Sequence, residues 1–176
     1  MNKMIAYLFR SIDDTIVKLS NWEYIPFSSQ KLFYVSFHTY KGNEKQLRDG
    51  TIIKNGDQIG EFHIDNKKVR HIKNDPASLF FIVDEELKFL SQAILKDERF
   101  KFIKAYYGVT ILHPIAVRKG FSIFPIENKI KREFIKQWDD WLKKIFQKSN
   151  YQKEKTRRVP KECWISKKEV LNRKAV

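Results

Sequence analysis

The chain has 176 residues, the length of one domain with room for an appendage. Hydrophobic residues make up 42% and aromatic residues 14%, which is enough for a buried core and excludes disorder throughout. The formal net charge of +14 points to polyanionic partners, and a single cysteine, Cys163, excludes an intrachain disulfide.

The first element is a helix over residues 3–20. Ile5, Leu8, Phe9, Ile12, Ile16 and Leu19 recur at helical spacing and form one apolar stripe. Leu32 to Thr39 alternates as a strand, with Phe33, Val35 and Phe37 on one face and Tyr34, Ser36 and His38 on the other. Two short apolar runs, 51–53 and 58–64, flank "KNGD". Asn-Gly between such runs predicts an antiparallel hairpin, and Asp65-Asn66 then turns the chain.

Asp75-Pro76 opens a helix that Leu79, Val83, Leu87, Leu90 and Ile94 carry to about residue 95. "RFKFIKAYYG" alternates as a strand ended by Gly108. A short helix follows over "TILHPIAVRKG", with Thr110 as its cap and Gly120 as its stop. "FSIFPI" is a further strand, and the short links predict that these two strands are parallel neighbours or nearly so. Residues 127–148 show the widest apolar helical face, which includes Trp138 and Trp141. A basic linker leads to "ECWISKKEVLNRK", read as one last helix with Ser166 and Glu169 as a capping box.

The expected fold is therefore α+β: a mixed sheet of about five to six strands flanked by helices, with long helices at both ends. Residues 1–150 are expected to form a single α+β domain and residues 151–176 a basic C-terminal extension. From Lys143 onward, 12 Lys/Arg stand against 3 Glu, so nine of the fourteen net charges lie in the last 34 residues. No apolar run approaches the ~18 residues of a membrane span, and the N-terminal apolar stretch is interrupted by Arg10. The expected location is cytoplasmic, with peripheral attachment to the membrane as an option.

Chemistry-bearing motifs are sparse. His38, His63, His71 and His113 have no metal-ligand spacing, and the glycine-rich phosphate cradles and the nucleophile elbow are missing. No cofactor and no metal site are expected. In "EFHIDN", Glu61, His63 and Asp65 share one strand face, where carboxylates beside an imidazole raise its basicity. An ordinary strand with one wet face has the same pattern. In "GVTILHPIAVRKGF", Thr110 stands where a helix opens, with His113 and Arg118 beyond it; a capped helix with a glycine stop reads the same way.

"YKG" (40–42), "LRDGTIIKNGDQIGEFHIDN" (47–66) and "YYGVTILHPIAVRKGF" (106–121) resemble the YkoP family of Bacillus-type bacteria, over roughly residues 30–145. The family domain also resembles the C-terminal extension of some polysaccharide deacetylases. The resemblance brings no established catalytic residues; the positions that match its pattern are His63, Asp65, Asn66, Thr110, His113 and Arg118. A fainter likeness is to the GNAT-type acetyltransferase fold, but "KKVRHIKNDPAS" has no glycine where that fold's pyrophosphate loop would lie.

Three functions follow as expectations. The first is a binding or accessory domain that docks on an anionic envelope polymer or membrane surface through the basic C-terminal region, including Lys143, Lys144, Arg157 and Arg158. The second is an acyltransferase or envelope-glycan enzyme. His63 would be its base, Asp65 the accompanying carboxylate, and His113 or Arg118 the anion contact. The third is nucleic-acid binding, with Tyr106, Tyr107, Trp138 and Trp141 as stacking platforms.

Overall fold

The computed structural model describes residues 22–65, 76–110, 112–126 and 159–173. Both expected long terminal helices, over 3–20 and 127–148, lie outside the described residues. In chain order the elements are β1 (Glu23–Tyr24), β2 (Phe33–Thr39), β3 (Lys45–Gln46), β4 (Ile52–Ile53), β5 (Gln58–Ile64), α1 (Pro76–Lys96), α2 (Glu98–Lys101), β6 (Ala105–Thr110), α3 (His113–Arg118), β7 (Ser122–Phe124), β8 (Lys161–Ser166) and α4 (Lys167–Leu171). Six strands form one mixed sheet in the order β1-β2-β5-β6-β8-β7, and β3 and β4 pair separately. The class is α+β, as the patterning predicts.

β2 and β5 form the longest ladder, antiparallel from Phe33↔Ile64 to Thr39↔Gln58. β5 runs parallel to β6, with Ile59↔Ala105 and Glu61↔Tyr107 in register. A parallel pair needs a long crossover, and α1 and α2 supply it. β8 lies between β6 and β7, antiparallel to both.

Both faces of the sheet are apolar near its centre. On one, Val35, Phe62, Tyr106, Cys163 and Ile165 meet Leu87, Leu90, Ala93 and Ile94 of α1, Phe100 of α2, Ala116 of α3 and Val170 of α4. On the other, Ile59, Tyr107 and Trp164 meet Tyr40, Leu47 and Ile53 from the β3–β4 segment. The core is therefore layered as helices, sheet and hairpin. Gly60 makes a close crossing possible: a Cβ there would lie 2.5 Å from the buried Tyr106 ring. That ring stacks on Phe62 at 5.6 Å between centroids.

Four local expectations are corrected. First, residues 51–53 do not pair with 58–64. Ile52–Ile53 pairs with Lys45–Gln46 around a turn at Asp49-Gly50, where Gly50 has φ 83° and Asp49 accepts from the Thr51 N–H at 3.1 Å. Both edges of β5 are already taken, by β2 and β6, so no edge remains for β4. Asn55-Gly56 still turns the chain, with Gly56 at φ 96°. Second, "RFKF" is helical. Asp97 caps α2 by accepting from the Arg99 N–H at 3.0 Å, and the strand begins at Ala105 and continues through Gly108. The helical turn buries Phe100 against Phe37 and exposes Phe102.

Third, β6 and β7 run in the same direction, as expected, but β8 lies between them, antiparallel to both. Fourth, "KECWIS" is a strand and only Lys167–Leu171 is helical. A run of three apolar residues buried on alternate faces has no helical period to betray it. The expected cap is in place: the Ser166 hydroxyl accepts from the Glu169 N–H at 2.9 Å.

Ser166 also donates its hydroxyl proton to Asp49 Oδ2 at 2.6 Å, tying the β3–β4 turn to β8. Burial alone would raise the Asp49 carboxyl, but hydrogen bonds from Ser166 and Thr51 outweigh it and hold it below the ordinary carboxylate value.

Gly60→Ala forces a methyl into the Tyr106 ring and lowers stability by about 1–3 kcal/mol, read as a fall in urea midpoint at unchanged slope. A depressed carboxyl stabilises above its unfolded pKa, and the gain is lost as pH falls through the folded value. The urea midpoint should therefore decline below about pH 4, and Asp49→Asn should flatten that decline; an unaltered acid limb would refute this role.

Candidate functional site

The "EFHIDN" strand is β5 and its exit. Successive residues on one strand face stand roughly 7 Å apart, so Glu61, His63 and Asp65 each meet a different neighbour. His63 pairs in register with Tyr34 of β2, and its ring stacks on Trp22 at 3.6 Å and 10°. Its Nε2 lies 3.4 Å from the Ser36 hydroxyl. Asp65 is buried, and its Oδ2 accepts from the Tyr24 hydroxyl at 2.8 Å. Tyr24 and Tyr34 stack at 4.2 Å, with their hydroxyls 2.8 Å apart. Because Tyr24 gives its one proton to Asp65, Tyr34 donates to Tyr24. Burial, then the bonds to Tyr34 and Asp65, push the Tyr24 phenol well above its ordinary value, so it stays a donor.

Glu61 belongs to a second neighbourhood. It hydrogen-bonds Tyr107, whose phenol is raised by burial first and by Glu61 second. Tyr107 stacks on Trp164 at 4.5 Å, and the Trp164 indole N–H donates to Glu162 at 2.9 Å. The buried Lys45 ammonium lies 3.6 Å from Glu162 and 5.0 Å from the centroid of the Phe124 ring. The β3–β4 segment therefore closes over this half of the face. Tyr106 and Tyr107 are both core residues, so neither is open for stacking on a nucleic-acid base.

The second motif follows β6. A Cβ on Gly108 would sit 3.3 Å from the Phe62 carbonyl oxygen, which shows how closely β5 and β6 run together. Parallel pairing sets their C-terminal ends at the same side of the sheet, so the Asp65 and Thr110 segments converge there. Thr110 is a strand residue, and its hydroxyl accepts from the Leu112 N–H at 3.0 Å. It closes the turn into α3; the helix cap itself is Leu112, which makes no side-chain cap. His113 is the first residue of α3 and is half-buried; Arg118 is in its last turn and exposed. Gly120 ends the helix at φ 86°.

Of the remaining candidates, Asn66, Lys143, Lys144, Arg157 and Arg158 lie outside the described residues. The described part of the basic C-terminal segment splits in two. Arg173 turns inward: it bonds Asp84 of α1 at 3.1 Å, and Lys119 contacts the same carboxylate at 3.0 Å. Lys167 and Lys168 face outward. With Thr51, Ile103, Lys104, Leu171 and Asn172 they line an open groove of about 540 Å³.

The groove is held by backbone. The Lys167 N–H donates to the Lys104 carbonyl at 3.0 Å, and the Lys104 N–H donates to the Gln58 carbonyl at 2.9 Å. The Lys167 ammonium also donates to the Lys101 carbonyl. Lys104 is paired with Asp57 at 2.8 Å. Burial would raise the Asp57 carboxyl, but the bonds from Lys104 and from the Lys54 N–H hold it below the ordinary value. Nothing in the local pattern of "KFIK" marks Lys101 and Lys104, because their meeting with the start of α4 spans more than sixty residues of chain.

A family model described as the YkoP domain matches residues 2–174, nearly the whole chain and more than the resembling motifs span. No curated protein and no solved structure matches the chain.

Proposed function

The chain belongs to the YkoP domain family, and from that starting point we propose that it is a binding or accessory domain that docks on an anionic partner, an envelope polymer or a membrane surface, through its basic C-terminal region. One observation carries the reading: three lysines from distant parts of the chain, Lys104, Lys167 and Lys168, line a single open groove. Each Lys near an anionic surface contributes about 1 kcal/mol, and the net charge of +14 adds long-range attraction.

Charge substitution tests this better than truncation, because the basic segment includes the interior strand β8. Lys167→Gln/Lys168→Glu removes about three charges at the groove. It should weaken retention on an acidic polymer or anionic vesicles by on the order of tenfold or more, with an unchanged circular dichroism spectrum. Wild-type retention should fall steeply with salt. Equal retention of the double variant would sink the reading.

A second reading is enzymatic, with His63 as a base acting on an acylated envelope glycan and His113 or Arg118 as anion contact. It is favoured by the His63 Nε2 on β5 lying 3.4 Å from the Ser36 hydroxyl on β2, with the buried Asp65 just past the end of β5. It requires that the intact chain release acetate from an acetylated amino-sugar oligomer and that His63→Ala abolish the release. Equal turnover by both proteins, or none by either, removes it.

A further inference from the structure

Phe102 is the most exposed of the large hydrophobic residues described, at 80%, and it directly precedes Ile103 and Lys104 of the groove lining. Its neighbours in the chain explain why it is presented rather than hidden. Phe100 is fully buried with its ring edge-on to Phe37, and Ile103 is buried in the groove wall. Phe102 is the C-cap of α2, with helical φ and ψ, so the turn directs its ring away from both. The backbone on either side is fixed: the Ile103 N–H bonds the Phe100 carbonyl, and Lys104 bonds β5 and α4. A bulky aromatic held at 80% exposure on so rigid a turn is a pre-formed protrusion.

Two other large hydrophobic residues are exposed at the end of α1 and on the loop its last lysine reaches. Leu95, at the end of α1, is 67% exposed, and Lys96 beside it reaches over the ring of Phe27, which is 55% exposed. The same chain segments and the groove carry six cations: Lys96, Arg99, Lys101, Lys104, Lys167 and Lys168. Four carboxylates answer, with Asp97 and Glu23 on Arg99, Glu98 on Lys101 and Asp57 on Lys104. The balance stays positive, and Lys168 is exposed. An acidic polymer in water would use the cations and leave Phe102 and Leu95 wet. A bilayer with anionic headgroups uses both, taking the apolar side chains below the phosphates while the lysines stay level with them.

We propose that the α1–α2 corner is a membrane-surface anchor: Phe102 inserts into the interfacial layer of an anionic bilayer, with Leu95 beside it, and Lys101, Lys104, Lys167 and Lys168 contact lipid phosphates. The inference rests on the anionic-partner reading and narrows it to one source of the charge.

The test compares the intact wild-type chain with Phe102→Ser and with Lys167→Gln/Lys168→Glu. Each is measured by sedimentation with phosphatidylglycerol/phosphatidylcholine vesicles, with phosphatidylcholine vesicles alone, and by retention on immobilised polyphosphate. Phe102 is exposed enough that its replacement leaves the core intact, which circular dichroism checks. The expected result is wild-type binding to the anionic vesicles and not to the neutral ones. Phe102→Ser should bind those vesicles about tenfold more weakly while keeping its polyphosphate retention, and the lysine variant should lose both. Phe102→Ser binding the vesicles like wild type would overturn insertion and leave the anionic reading standing. So would wild-type retention on polyphosphate without vesicle binding. Failure of the wild type on both supports would overturn the two together.

Discussion

β8 sits between β6 and β7 with both faces covered, and the helical layer, the β3–β4 hairpin and α4 are all tied to it. Cys163 and Ile165 point into the helical layer, whereas Trp164 points into the layer under the β3–β4 hairpin. One six-residue strand thus joins two apolar cores. Its last residue does further work: the Ser166 hydroxyl caps α4 and binds Asp49 in the hairpin turn. Remove the strand and β6 and β7 lose their common partner, the hairpin loses its tether and α4 loses its cap. The strand itself is net neutral, with Lys161 and Glu162, but it lies within the basic C-terminal segment and makes that segment part of the framework.

That double role explains how the groove is made. Lysines are costly to bury and favour solvent, so their placement follows from the backbone that bears them. α4 begins directly after β8, and its first residues lie against the 101–104 turn because the Lys167 N–H bonds the Lys104 carbonyl. The turn in turn is fixed to β5. Lys101, Lys104, Lys167 and Lys168 are thus borne by backbone that these hydrogen bonds hold together.

The opposite lesson comes from β5. Alternation placed Glu61, His63 and Asp65 on one face, and alternation was right about the face. It says nothing about neighbours across the sheet. Tyr107 from the parallel side holds Glu61, Trp22 and Ser36 take His63, and Tyr24 takes Asp65. A row of polar groups along one strand is thereby divided among three strands' worth of partners. The aromatic pairs stacked over it, Trp22 with His63 and Tyr24 with Tyr34, stiffen the β1–β2–β5 edge.

Period and punctuation in the sequence sufficed for the elements whose partners are local or whose period is long. The 76–96 helix shows its apolar stripe over 21 residues, β2 shows clean alternation, and Ser166 with Glu169 marks a helix start whatever precedes it. The family was also legible, through two motif stretches that fold into adjacent parallel strands and their exits. What the tertiary structure alone decided was pairing. Ile52–Ile53 turned to Lys45–Gln46 because both edges of β5 were occupied, and "CWIS" became a strand because an interior slot was open between β6 and β7. Hydrophobic period records which side of a segment is buried; which segment buries it depends on chain closure over distances that no local window contains.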